Sequence, residues 1–371
     1  MKLSTLKRIN PIMMRDVGRN RRHEFSKVIL TNESITFLSP DVVVTIMHGI
    51  LFAEKIPALY VKAEHLFPLL SIGEILRVEI NPEDEYARFS IPNKSTLAIV
   101  DATDMENSLD DRAKLFHQSY DRYGIFNAKD IENICDAAKY VADDQIREQM
   151  SYVVCDNEYI VGSDAHCLLY LKKSKETGLI DSLNIPPIIQ RLLSLFKDQS
   201  FDFLKSKGVV ATRFMRLANE TVSISWDASI SEKAYPNWRS VVPEFKIKSP
   251  KDITADNVID RRSVYVSQKE IETILQFMEA QYNTVEKLEL EISRTIVTIR
   301  KEGESAQASS ILSVYHPEGT FEKKTTIGIM QHYLAEAIRR NKGNNAFKID
   351  FGDPTQAFVF NDNFLVMPCM L

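Results

Sequence analysis

Asp164, His166 and Cys167 lie in one short stretch, Ser163-Asp164-Ala165-His166-Cys167-Leu168, and are the residues of this chain best suited to chemistry. A cysteine beside a histidine suits a nucleophile and its base, and the three together suit metal ligation. The spacing argues against both. Adjacent residues on a strand point to opposite faces, so His166 and Cys167 do not converge. No H-E-x-x-H, P-loop or G-x-S-x-G pattern is present, and no carboxylate cluster has metal-like spacing. Cys135, Cys155, Cys167 and Cys369 are widely separated and form no C-x-x-C pair, which argues against a zinc site and a disulfide framework. These residues read as part of a non-catalytic protein with no metal and no cofactor.

Binding is the better use for them. The chain's last seven residues, Leu365-Val366-Met367-Pro368-Cys369-Met370-Leu371, are apolar, whereas termini are normally polar and frayed. Such a tail folds onto its own domain or lines a docking groove. A second internal stretch, Tyr235-Pro236-Asn237-Trp238-Arg239-Ser240-Val241-Val242-Pro243, mixes aromatic and apolar residues in the same way. Trp238 reads as a packing aromatic, and Trp226, at the end of a strand, as core.

The elements that must position these stretches follow one cadence three times. In the last third, 268–282 reads as a helix with Ile271, Ile274, Leu275 and Met278 on one face. Strands follow at 287–293, 295–300 and 309–314. A second helix at 330–341 stops before Gly343, which suits a helix C-terminus, and strands at 347–351, 356–360 and 364–367 close the pass. The middle third repeats it: a helix at 128–141, strands at 152–155, 159–163 and 168–172, a helix opened by Pro186-Pro187 and running to 197, then strands at 201–204, 209–217 and 222–226. The first third is a weaker version, with helices at 11–19 and 63–70 and strands at 76–80, 87–91 and 96–100. Stretches 101–111, acidic and polar, and 244–251, charged with a proline, read as linkers. A repeat of this length means three similar domains, 1–118, 119–245 and 246–371; three unrelated α+β domains are the alternative.

With 371 residues, 44% of them hydrophobic, the chain can bury more than one core. No apolar run reaches the ~18–20 residues of a membrane span; the longest, 42–52, is interrupted by Thr45, His48 and Gly49. The basic N-terminus lacks an apolar segment behind it, so no signal peptide is read. With its unpaired cysteines, the chain fits a reducing cytoplasm. Its net charge of −5 neither demands nor forbids a DNA partner, because binding depends on where the charges lie.

Taken together, the three quoted stretches resemble the bacterial sliding clamp, the beta subunit of DNA polymerase III. The pattern there is a D-G-H-R-L loop, a loop reading aromatic-Pro-Asp-aromatic-Arg-x-aliphatic-aliphatic-Pro, and a V-V-M-P-M-R-L end. The resemblance implies an α+β chain of three tandem clamp folds, helices lining a central channel with antiparallel sheets outside, and two chains forming a ring. It also implies double-stranded DNA, bound without sequence preference, a DNA polymerase, a clamp loader and a second copy as partners, with no membrane.

By the same resemblance, a peptide groove comprises Ser163, Ala165, His166, Cys167 and Leu168 from the first loop. Pro236, Ser240 and Val241 come from the second, and Leu365, Val366, Met367, Pro368 and Met370 from the tail, with Met150 as a looser addition. DNA phosphates are met by Lys7, Arg8, Arg15, Arg19, Arg21 and Arg22 in the first domain, by Lys129, Lys139, Arg191 and Lys197 in the second, and by Lys269, Arg339, Arg340 and Lys342 in the third. Some positions depart from the pattern: its loop glycine is Ala165, and three of its arginines are Cys167, Ser240 and Met370. The groove is therefore expected to be more apolar and less basic, and to prefer a different peptide. A clamp-fold adaptor that does not encircle DNA is the alternative.

Overall fold

The computed structural model describes residues 3–15, 27–48, 52–69, 76–81, 86–91, 96–104, 116, 119–143, 147–174, 182–207, 214–242, 262–281, 287–301, 310–319, 321, 324–352 and 354–369. The first pass of elements is α1 (Leu3–Arg15), β1 (Lys27–Leu30), β2 (Ser34–Leu38), β3 (Val42–Met47), β4 (Leu59–Lys62), α2 (Ala63–Leu69), β5 (Arg77–Asn81), β6 (Tyr86–Ser90) and β7 (Thr96–Asp104). Next come β8 (Tyr120–Phe126), α3 (Ala128–Ala137), β9 (Val153–Cys155), β10 (Tyr159–Ser163), β11 (Cys167–Lys172), β12 (Leu183–Ile185), α4 (Pro187–Leu193), β13 (Phe201–Ser206), β14 (Phe214–Ala218) and β15 (Val222–Asp227). Last are β16 (Arg262–Ser267), α5 (Gln268–Gln281), β17 (Lys287–Ile292), β18 (Ile296–Lys301), β19 (Ser310–Glu318), β20 (Thr325–Met330), α6 (Gln331–Arg340), β21 (Ala346–Phe351), β22 (Phe358–Phe360) and β23 (Phe364–Val366). The second and third passes share the order strand, helix, four strands, helix, three strands.

Contacts divide the chain into two compact units. The first is Met1–Ala138, Tyr152–Ile160 and Lys172–Lys233; the second is Lys139–Ser151, Val161–Leu171 and Ala234–Leu371. In the first unit, eleven strands run in the order β5-β6-β7-β4-β1-β2-β3-β15-β14-β13-β8. The β3–β15 pair, Val42↔Trp226 through Ile46↔Val222, makes this one antiparallel sheet. Helix α1 packs on α2 and α4, and α4 on α3. In the second unit the strand order is β11-β23-β22-β21-β16-β19-β18-β17-β20, and α5 packs on α6.

Two sequence expectations need correction. The first helix spans Leu3–Arg15 rather than 11–19, with Pro11 inside it. Ile9 and Met13, one turn apart, are the buried pair that fixes the helix on the sheet. Pro11 faces solvent, where a missing N–H is tolerated best. The linker expected at 101–111 begins as strand: β7 continues to Asp104 because it pairs with β6 and also with β4, Leu59↔Asp104 through Val61↔Ala102. The apolar run from residue 42 is β3, whose Val42, Val43 and Val44 are all buried, as a strand covered on both faces requires. The second expected linker, 244–251, lies outside the described residues.

Candidate functional site

The first quoted stretch folds as the tight connection between β10 and β11. Asp164 organises it: Oδ1 accepts the backbone N–H groups of His166 (2.8 Å) and Cys167 (2.7 Å), and Oδ2 accepts the Tyr333 hydroxyl (2.9 Å) from α6. The Ser163 hydroxyl donates to the Cys167 carbonyl (2.7 Å) and accepts the Ala165 N–H (3.1 Å). To close this turn Ala165 adopts φ +76°, the left-handed region that a Cβ disfavours by about 1–2 kcal/mol. The clamp pattern that this stretch resembles has glycine at this position, the residue that adopts such a φ without strain.

The tail docks beside this loop. Strand β23 pairs with β11, Cys167↔Val366, Leu168↔Leu365 and Leu169↔Phe364. Beyond the strand, the Met367 N–H donates to the His166 carbonyl (2.8 Å) and the Cys369 N–H to the Gly328 carbonyl of β20 (3.0 Å). The second quoted stretch forms a short 3-10 turn, Trp238–Ser240. Trp238 is buried and stacks on Tyr170 of β11, with centroids 5.9 Å apart, and the Arg239 guanidinium lies 4.5 Å above its ring.

Between these pieces, wholly within the second unit, is a cavity of about 390 Å³. The structure places Met150, Ser163, Ala165, Cys167 and Leu168 on its walls, with Pro236, Ser240, Val241, Leu365 and Met367. His166 is not on the wall: its side chain is exposed, and it contributes the carbonyl that holds the tail. Val366 points to the other face of β23 and is fully buried, as period-two alternation requires. Pro368 also stands off the wall, and Met370 lies outside the described residues. Arg147, Gln149, Tyr235, Asn237 and Trp238 line the cavity without having been expected. A stricter alternation along 365–367 would have removed Val366, while Arg147 and Gln149 come from an irregular stretch that carries no periodic signal.

Burial raises the pKa of the Cys167 thiol, with Asp164 reinforcing the shift. A thiol held neutral beside a solvent-facing imidazole is a poor nucleophile. Burial also raises the Tyr235 hydroxyl, against a hydrogen bond with Ser163, and raises that of Tyr333, with Asp164 second. The wall is thus neutral at physiological pH apart from Arg147, the one charge among its described lining residues. Among the described residues, no group of three or more His, Cys, Asp or Glu side chains gathers as metal ligands would.

The expected phosphate contacts lie in different surroundings. Lys7, Arg8 and Arg15 are exposed on α1, while Arg19, Arg21 and Arg22 fall outside the described residues. Lys129 on α3 is bonded to Glu132 (2.7 Å). Lys139 and Lys197 are exposed just past α3 and α4, and Arg191 is half-buried on α4. Lys269 is exposed on α5 and Lys342 past α6. Arg339 on α6 is bonded to Glu279, and Arg340 lies over the Tyr140 ring (5.5 Å).

A two-unit α+β chain of antiparallel sheets, few helices and an apolar cavity beside its tail defines the class to be compared. No protein-family profile and no curated protein matches the sequence. Solved structures do. The DNA polymerase sliding clamp of Pseudomonas aeruginosa, solved with a ligand, matches at TM-score 0.70 and 13% identity over 100% of this chain and 97% of that one. The DnaN sliding clamp (DNA polymerase III subunit beta) of Bartonella birtlesii, bound to griselimycin, matches at 0.70 and 14% with the same coverage. The Helicobacter pylori beta clamp, bound to a DNA ligase peptide, matches at 0.69 and 12%, again with that coverage. The chain has the fold of the bacterial sliding clamps. In the described residues, no helix is long and apolar enough to cross a membrane.

Proposed function

We propose that this chain is a sliding clamp: three clamp domains, 1–118, 119–245 and 246–371, in each of two copies that close head-to-tail around duplex DNA in the cytoplasm. The groove holds a peptide of a DNA polymerase, or of another DNA enzyme such as the ligase whose peptide binds the Helicobacter pylori clamp. A clamp loader opens the ring. The protein acts without catalysis, by effective concentration: a polymerase that lets go stays beside its template and rebinds before it diffuses away. The observation that carries this reading is the 390 Å³ cavity, assembled from the three separate stretches that resemble the clamp pattern.

Phe277 on α5, 52% exposed, is an apolar side chain that a second copy would cover. Light scattering across a concentration series tests the ring, the expected species having twice the 42.4 kDa chain mass. A monomer at every concentration sinks the closed ring for the isolated protein. Retention on circular but not linear DNA is the companion test. The groove is tested by removing residues 367–371, which should abolish binding of a partner peptide. One observation favours the adaptor alternative: on α5 Lys269 stands beside Glu270, and Arg339 of α6 is bonded to Glu279, so these helices present little net positive charge to phosphate.

A further inference from the structure

We infer that the phosphates of duplex DNA are held chiefly by one helix, α1, and that the cations of α3, α5 and α6 add little because the protein already supplies their counter-charges. The inference rests on the DNA-binding reading and deepens it. Helix α1 contains no Asp or Glu. At about 100° per residue, Lys7, Arg8 and Arg15 fall within an arc of roughly 100°. All three are exposed, while Ile9 and Met13 on the opposite side are buried. Among the described residues, the helix therefore offers a cationic face with no carboxylate partner, anchored from behind by apolar packing.

Helices α3, α5 and α6 differ in carrying carboxylates beside their cations. On α3, Glu132 and Asp136 share the side of Lys129, and Glu132 is bonded to it. Lys269 of α5 is outnumbered by Glu270, Glu272 and Glu279 on its own helix. On α6, Arg339 is bonded to Glu279 and has Glu336 at 4.0 Å. Its neighbour Arg340 donates to the Tyr140 hydroxyl (3.3 Å), which itself donates to Glu336 (2.5 Å). Phosphate binding gains its free energy from counterions released by the nucleic acid when uncompensated cations replace them. An arginine that must first give up a protein carboxylate gains less than one that faces water alone.

The test uses the full chain and a short fluorescent duplex, titrated by anisotropy at salt concentrations from ~50 to ~200 mM. Two triple variants are compared: Lys7→Gln with Arg8→Gln and Arg15→Gln, and Lys129→Gln with Lys269→Gln and Arg339→Gln. Circular dichroism checks that both fold. The α1 set should flatten the slope of log affinity against log salt by about 0.9 for each side chain removed, and the second set by clearly less. An α1 set that keeps the wild-type slope, or a second set that loses as much, overturns the inference and leaves the DNA reading standing. Wild-type protein with no salt-dependent binding at all overturns both, and leaves only the groove.

Discussion

Under the proposed function, the groove of the second unit and the α1 face of the first would place opposite demands on the chain. Around the groove, Asp164 accepts three hydrogen bonds, the tail is tied down at Met367 and Cys369, and Trp238 is locked against Tyr170. On α1, three long side chains stand in solvent and only the far side of the helix is fixed. Recognition of a peptide by shape needs walls that do not move. A sliding contact with phosphates needs positive charge without fixed geometry, since a rigid fit would stop the sliding. Damage should therefore cost stability in the groove, and binding but little stability on α1.

The sharpest break in that contrast is Trp238→Ala. Truncating a buried, stacked tryptophan should destabilise the second unit by about 3–5 kcal/mol and abolish peptide binding, seen as a lower urea midpoint and a flat titration. A loss below ~1 kcal/mol would mean the stack is incidental. Next comes Tyr333→Phe, which removes the hydroxyl that braces Asp164. A hydrogen bond to a charged group is worth about 1.5–3 kcal/mol, and peptide affinity should fall with stability; loss of neither would show that the loop holds itself.

Alkaline pH sharpens the comparison with a smaller effect. Burial raises the thiol pKa of Cys155 in the first unit and of Cys167 in the second. Unfolded thiols ionise near pH 8.5 while the folded ones stay protonated, so above that pH the unfolded state binds fewer protons and stability falls. The limit is about 1.4 kcal/mol per pH unit for each thiol. Melting temperatures measured upward from pH 8 should decline, and less steeply in Cys167→Ala. The smallest effect has the opposite sign. Ala165→Gly relieves the φ +76° conformation and should stabilise by up to ~1 kcal/mol, net of the extra freedom glycine gives the unfolded chain; a destabilised variant would mean that the Ala165 methyl packs.

The groove was legible because its pieces are contiguous: Ser163 to Leu168, Pro236 to Val241 and the tail each carry a pattern that survives in sequence. Its floor was not. Arg147 and Gln149 reach the wall from a stretch whose place is set by tertiary packing, here the Ala142 N–H donating to the Met150 carbonyl (2.9 Å). Helices α3 and α5 were legible by period and α4 by its opening prolines, whereas the expected helix at 11–19 missed the Ile9–Met13 pair of α1. Strands β8 and β16 escaped notice because each runs almost directly into a helix, and β1 to β4 because their burial on both faces erases alternation. The pairing state of each cation was invisible, since Arg339 meets Glu279 only once α5 and α6 have packed.

The β3–β15 pairing has a consequence in time. Val42 to Ile46 wait for partners about 180 residues further along the chain. At the usual synthesis rate of ~5–20 residues per second, the outer edge of β3 emerges roughly 10–40 seconds before the strand that covers it. Throughout that interval the nascent chain displays Val-Val-Val-Thr-Ile-Met as an open, uncharged edge of the kind that recruits other chains. A chain ended after residue 118 never closes that edge, and should aggregate in a light-scattering assay where the full chain does not. The seam that makes one sheet of the first unit is therefore also the place where its birth is most exposed.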